Sequence, residues 1–144
     1  MNDLTRAFVR TNSALLDKEI IDLVVGDDRD FEADVSGIPE DAELQTAWLT
    51  IKLNEEDDDS AAVVQKSITA EAEDGVGQIT ETGSSASTGH LVFQLTHEDT
   101  AELEAGVGYY YDIRVRTDTG KTFTVEHGRL IPRSAITRDV EPAS

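Results

Sequence analysis

No cysteine occurs in this 144-residue chain, so it can form neither a disulfide nor a thiolate metal site and has no cysteine nucleophile. Cations are scarce as well. Against 30 Asp and Glu stand 12 Lys and Arg, and the net charge is −18. Such a surface repels phosphate backbones at long range and has no basic stripe to release counterions, so no nucleic-acid partner is expected. Aromatics amount to one Trp, three Tyr and four Phe, and only Trp48 and Tyr110 are candidates for the several aromatic platforms that a carbohydrate-cleaving cleft presents. No apolar run approaches the roughly 20 residues that span a bilayer. At the amino terminus Leu4, Phe8 and Val9 are interrupted by Asp3, Arg6 and Arg10, so neither a signal peptide nor a membrane partner is expected.

What is abundant is carboxylate. One reading of the acid excess is plain solubility. The other is very high salt, where the self-repulsion that destabilises such a chain in dilute buffer is screened to a Debye length of about 3 Å at 1 M. Few lysines and many carboxylates suit the second, and a salt-loving host is expected. The run Glu55-Glu56-Asp57-Asp58-Asp59 has nothing local to pair with and reads as a solvated loop. It lacks the alternating ligands and central glycine of an EF-hand, and whether it takes a cation stays open.

The length suits one domain with one core. From Ile20 onward, short apolar runs and period-two alternation bounded by turn residues predict strands. The first is expected at Ile20–Val25, the second at Asp30–Val35, with Phe31, Ala33 and Val35 on one face. Leu44–Asn54 reads as the longest, with Ala47, Leu49, Ile51 and Leu53 on one side and Trp48, Thr50 and Lys52 on the other. Weaker strands follow at Ala62–Thr69 and Gln78–Thr82, then a loop of small residues at Gly83–Gly89 with no means of packing, then a strand at His90–Thr96. Thr96 is placed to cap a single helical turn over Thr100–Leu103, with acids in its first turn. In Tyr109–Val115 the residues Tyr109, Tyr111, Ile113 and Val115 share one face, and Tyr110, Asp112, Arg114 and Arg116 the other. A tyrosine just after a turn that crosses between sheets suggests a tyrosine corner made by Tyr109 or Tyr111. A hairpin at Asp118-Thr119-Gly120 leads to Lys121–Glu126, with Phe123 and Val125 inward and a bulge expected at Gly128. The organisation predicted is an amino-terminal arm at 1–19, an all-β, immunoglobulin-like antiparallel β-sandwich with one short helical turn at 20–137, and a tail at 138–144.

Catalytic patterns are missing. His90, His97 and His127 fall on separate elements without ligand spacing, and there is no Gly-x-Ser-x-Gly elbow, P-loop or dinucleotide fingerprint. Gly106-Val107-Gly108 precedes a strand and reads as a turn, not a phosphate cradle. Carboxylates are so numerous that some pair always lies at glycosidase separation, which makes that separation uninformative. No catalytic residue, cofactor or metal is expected, and the chain is not expected to be an enzyme. The candidate functional residues are those suited to contacts: Leu4, Phe8, Val9, Leu15 and Leu16 on the arm, and Trp48, Tyr110, Arg114 and Arg116 on the sandwich. Trp48 is expected over the sandwich edge or in a subunit contact. Arg114 and Arg116 are expected to pair with acids on neighbouring strands, or else to form a docking surface with Tyr110.

The run Leu95-Thr96-His97-Glu98-Asp99-Thr100-Ala101-Glu102-Leu103-Glu104-Ala105-Gly106, the strand Tyr110-Tyr111-Asp112-Ile113 and the glycine-centred hairpin after it carry a resemblance. They are similar to small β-sandwich domains from virions of tailed viruses, including the amino-terminal domain of baseplate upper proteins. The likeness covers roughly Ile20 to Thr137. It departs at the acidic insertion Glu55–Asp59, the polar loop Thr82–Gly89 and the amino-terminal leader. What it implies is a virion structural protein in the tail or baseplate or on the capsid surface, with other virion proteins as partners and a symmetric homo-oligomer as its form. Capsid vertex or turret decoration, and adhesion to a host-surface glycan or glycoprotein, are the alternatives.

Overall fold

A computed structural model describes residues 16–83 and 88–136. Eight strands form in chain order: β1 (Leu16–Ile20), β2 (Arg29–Ser36), β3 (Leu44–Lys52), β4 (Val64–Ile68), β5 (Gly77–Glu81), β6 (Thr88–Leu95), β7 (Tyr109–Thr117) and β8 (Thr122–Leu130). A single helical turn, α1 (His97–Thr100), joins β6 to β7, and a 3-10 turn at Asp59–Ala61 precedes β4. One sheet has the order β1-β8-β7-β3-β4 and the other β2-β6-β5. The chain changes sheet between β1 and β2, between β2 and β3, between β4 and β5, and through α1 between β6 and β7. That crossing pattern makes an immunoglobulin-like all-β sandwich.

Alternation explains the sheets. On β2 the residues Phe31, Ala33 and Val35 are buried between exposed Asp30, Glu32 and Asp34. Leu91, Phe93 and Leu95 of β6, Ala47, Leu49 and Ile51 of β3, and Tyr109, Tyr111, Ile113 and Val115 of β7 complete one core. Each fully buried aliphatic or phenyl side chain contributes about 1.5–3 kcal/mol by leaving water. Every ladder is antiparallel except that of β1, which runs parallel to β8 with Lys18 opposite Gly128.

Several expectations are corrected. The first strand is Leu16–Ile20, not Ile20–Val25, so Leu16 to Glu19 belong to the sheet rather than to the arm. Residues 20–25 instead run extended beside 131–133, held by Ile131 N–H to Ile20 O (2.9 Å), Arg133 N–H to Leu23 O (2.8 Å) and Val25 N–H to Arg133 O (2.9 Å). β3 stops at Lys52 because the chain turns at Asn54, whose carbonyl accepts from Asp57 N–H at 3.1 Å, and Leu53 is left 47% exposed. Thr88 and Gly89 lie in β6, and Gly89 is packed so closely that a Cβ there would sit 2.6 Å from Leu44 Cδ1. The predicted loop thus has packed ends, while Ser84 to Ser87 fall outside the described residues.

The bulge of β8 is at Val125, not Gly128, since Arg114 faces Thr124 while Ile113 faces Glu126. One extra residue reverses the alternation, so Val125 and Glu126 are both buried. The inward carboxylate accepts a hydrogen bond from Tyr111 Oη at 2.6 Å, and among the described residues its Oε1 has Lys18 Nζ, 3.8 Å away, as its cation. Tyr109 makes the tyrosine corner: its hydroxyl oxygen accepts Glu104 N–H at 2.8 Å.

The helical turn begins earlier than predicted, at His97, with Thr96 as its cap. Thr96 Oγ1 accepts Asp99 N–H at 3.2 Å and Asp99 Oδ2 accepts Thr96 N–H at 2.8 Å, a reciprocal capping box. Lys66 reaches from β4 to this carboxylate at 2.7 Å, tying the two sheets together at one end. Burial alone would raise the Asp99 pKa, but Lys66 and Thr96 together bring it below the ordinary 3.8. Its stabilisation is therefore complete above 3.8 and is lost as pH falls through the folded value. Asp99→Ala is expected to cost about 1–3 kcal/mol at neutral pH, and the gap from wild type in urea melts should close in acid.

Candidate docking face

Because odd-numbered residues of β7 point inward, Tyr110, Asp112, Arg114 and Arg116 point out of the five-stranded sheet. Registers set them beside the outward residues of β3 and β8. Arg129, Tyr110 and Lys52 form one row, and His127, Asp112 and Thr50 the next. Thr124, Arg114 and Trp48 follow, then Thr122, Arg116 and Thr46. Rows are about 7 Å apart along the strands, and neighbours within a row about 5 Å. All of these except Thr46 line a groove of about 890 Å³, which Glu55 and Asp59 of the acidic loop also border.

The acidic loop is not without local partners, as the sequence reading had it. Lys52 Nζ lies 2.9 Å from Asp59 Oδ1 and donates to Asp57 O at 2.6 Å. The Lys52 hydrogen bond and charge hold the Asp59 carboxyl below its ordinary 3.8. Gln65 Nε2 donates to the buried Thr50 Oγ1 at 3.0 Å. Asp112, in the middle of the groove, has its pKa raised by burial, which outweighs the opposing charges of Arg114 and Lys52. The Arg129 guanidinium lies over the Tyr110 ring, 4.6 Å from its centroid. Such a stack is worth about 0.5–1 kcal/mol when exposed.

Trp48 sits half-buried on an interior strand, between Ser67 of β4 and Arg114 of β7, rather than over a sheet edge. Arg114 and Arg116 do not pair with acids of neighbouring strands. Their cross-strand neighbours are Trp48 and Thr46 on one side and Thr124 and Thr122 on the other, none of them acidic. Among the described residues no carboxylate lies within ion-pair distance of Arg114, Arg116 or Arg129. In a chain with 30 acids, three arginines on one face without an ion partner among the described residues stand out.

Of the sequence candidates, the fold thus brings together Trp48, Tyr110, Arg114 and Arg116. Leu16 is apart from them, on β1 opposite Glu126. Leu4, Phe8, Val9 and Leu15 lie outside the described residues. Arg129 was missed, because its outward direction depends on the bulge at Val125, which no pattern in the sequence marks.

The other sheet presents the opposite charge. Asp30, Glu32 and Asp34 project from β2, and His90 of β6 lies among them, with Nδ1 2.7 Å from Asp34 Oδ1 and Nε2 3.0 Å from Glu32 Oε1. The Asp34 hydrogen bond, helped by Glu32 and opposed by burial, raises the His90 pKa above 6.5. Protonated His90 therefore stabilises the fold below 6.5, and this contribution is lost as pH rises through the folded value. An NMR titration should show His90 titrating above the ordinary imidazole value, and Asp34→Asn should move it back down.

His90, His97 and His127 stay on β6, α1 and β8. Among the described residues no group of three or more His, Asp or Glu is arranged to hold a metal ion. No protein-family model matches the chain, and no curated protein matches it.

Proposed function

We propose that this chain is a docking module of a multi-subunit particle, and that the particle is the tailed-virus virion implied by its resemblance, at the tail or baseplate or on the capsid surface. The observation that carries the docking role is the set Arg114, Arg116 and Arg129, without ion partners among the described residues and gathered with Trp48 and Tyr110 on one sheet face. Tryptophan, tyrosine and arginine are the residues most enriched where proteins bind one another. An arginine fork left without a carboxylate gains most from a partner that brings one. The sandwich supplies a rigid support, since the inward halves of β3, β7 and β8 are locked in the core.

The test is incorporation. Particles purified from the encoding culture should contain the chain. Arg114→Glu with Arg116→Glu should lower its occupancy at least about tenfold, the effect of roughly 1.4 kcal/mol lost from a contact. The same variant should melt like wild type, since neither side chain is buried. Wild-type occupancy of the double variant, or particles without the chain, would contradict the proposal.

Adhesion is the second reading, favoured by one feature: Trp48 and Tyr110 lie in the same groove on either side of the polar row of Thr50 and Asp112. Aromatic faces flanking hydrogen-bonding groups suit a sugar. Binding on a glycan array that is lost in both Trp48→Ala and Tyr110→Ala would select this reading over scaffolding.

A further inference from the structure

We infer that the groove receives the acidic ridge of β2 from a second copy of this chain. The inference rests on the docking reading above and names the partner. Along β2 the outward residues are Asp30, Glu32 and Asp34, one carboxylate at every second position, with the Glu32 and Asp34 side chains 61% and 89% exposed. Along β7 the outward cations Arg114 and Arg116 follow the same two-residue repeat, with Arg129 on the adjoining strand. Both repeats advance about 7 Å per step, so two successive carboxylates of β2 match the spacing of the Arg114 and Arg116 forks, while the next outward position of β7 is Asp112. β2 is an edge strand of its sheet, so its carboxylates lie at the border of that face rather than in its middle.

The remaining charge decides the conditions. Two copies of net charge −18 repel each other across solvent, and salt removes this long-range term while leaving pairs in direct contact less screened. Association should therefore rise with salt. Ridge and groove lie on opposite outer faces of the sandwich, so the contact is head-to-tail and repeats from copy to copy into a ring or a stack.

The experiment is charge-swap complementation by sedimentation velocity at about 2 M KCl, where the screening length is near 3 Å or below. Wild type should associate with concentration. The groove variant (Arg114→Glu, Arg116→Glu) and the ridge variant (Asp30→Lys, Glu32→Lys, Asp34→Lys) should each stay monomeric alone. Their equimolar mixture should associate, because reversed ridge meets reversed groove and native groove meets native ridge. Association in the mixture also shows that both variants are folded. Should either variant fail to fold, Arg114→Gln with Arg116→Gln, and Asp30→Asn with Glu32→Gln and Asp34→Asn, replace them, and each should weaken association at least about tenfold. A wild type that stays monomeric to about 1 mM, or a mixture no more associated than its components, would overturn the inference. If wild type stays monomeric while the groove variant is lost from particles, the self-contact falls and the docking reading survives with another protein as partner.

Discussion

Tyr111→Phe should destabilise the sandwich by about 2–3 kcal/mol in urea melts, more than loss of an ordinary exposed hydrogen bond, because it takes the donor from a buried carboxyl group. The bond from Tyr111 Oη to Glu126 Oε2 is 2.6 Å long, and Glu126 is only 3% exposed. The bulge at Val125 turns this carboxylate inward, where Lys18 Nζ lies 3.8 Å away. Removing one member of a buried polar pair leaves the other with its full desolvation cost, while removing both is much milder. Tyr111→Phe combined with Glu126→Leu should therefore recover most of the loss. Additive costs in the double variant would show that the two groups do not act together.

Gly128→Ala should release β1 from the sheet at a cost of about 2–4 kcal/mol, since net hydrogen-bond contributions are about 1 kcal/mol each and a backbone ladder joins β1 to β8. A Cβ on Gly128 would fall within 1.8 Å of Lys18 O and 2.8 Å of Lys18 C, backbone atoms that cannot rotate away. Only the absence of a side chain lets the parallel strand approach there. Hydrogen exchange should show faster exchange across Leu16–Ile20 in the variant, with β3 and β7 still protected. Unchanged protection of β1 would mean that the strand is anchored elsewhere.

What the sequence disclosed and what it hid divide along physical lines. β2, β6 and β7 were legible because each has one face in the core and one in solvent, and a two-residue period follows directly. The Thr96 cap and the hairpin at Gly120, whose φ is +91°, were legible because they depend on local chemistry. β1 was not, since Leu16–Ile20 is a parallel edge strand placed by β8, more than a hundred positions away, and not by its own pattern. Lys66 gave no sign that it would turn between the sheets, because its partner Asp99 is brought to it by the fold. The inward Glu126 was hidden for a similar reason, as one extra residue in a ladder leaves no compositional trace.

The candidate site shows the same division. That Tyr110, Arg114 and Arg116 share a face could be read from β7 alone, and Trp48 with Lys52 from β3. That both faces are one surface depends on β3 lying beside β7, a neighbour relation between segments about 60 residues apart. The absence of a carboxylate directly across from Arg114 and Arg116 likewise follows from register, which sets threonines and Trp48 opposite them. With the same composition and another strand order, these arginines could pair with any of the abundant acids.

The central claim is that the groove face of β3, β7 and β8 is covered in the assembled state. Arginine-specific chemical modification of free protein and of purified particles, read residue by residue by mass spectrometry, tests it most directly. The account predicts protection of Arg114, Arg116 and Arg129 in particles, with the exposed Arg133, which lies outside the groove, equally reactive in both samples. Equal reactivity of all four arginines in both samples would contradict it.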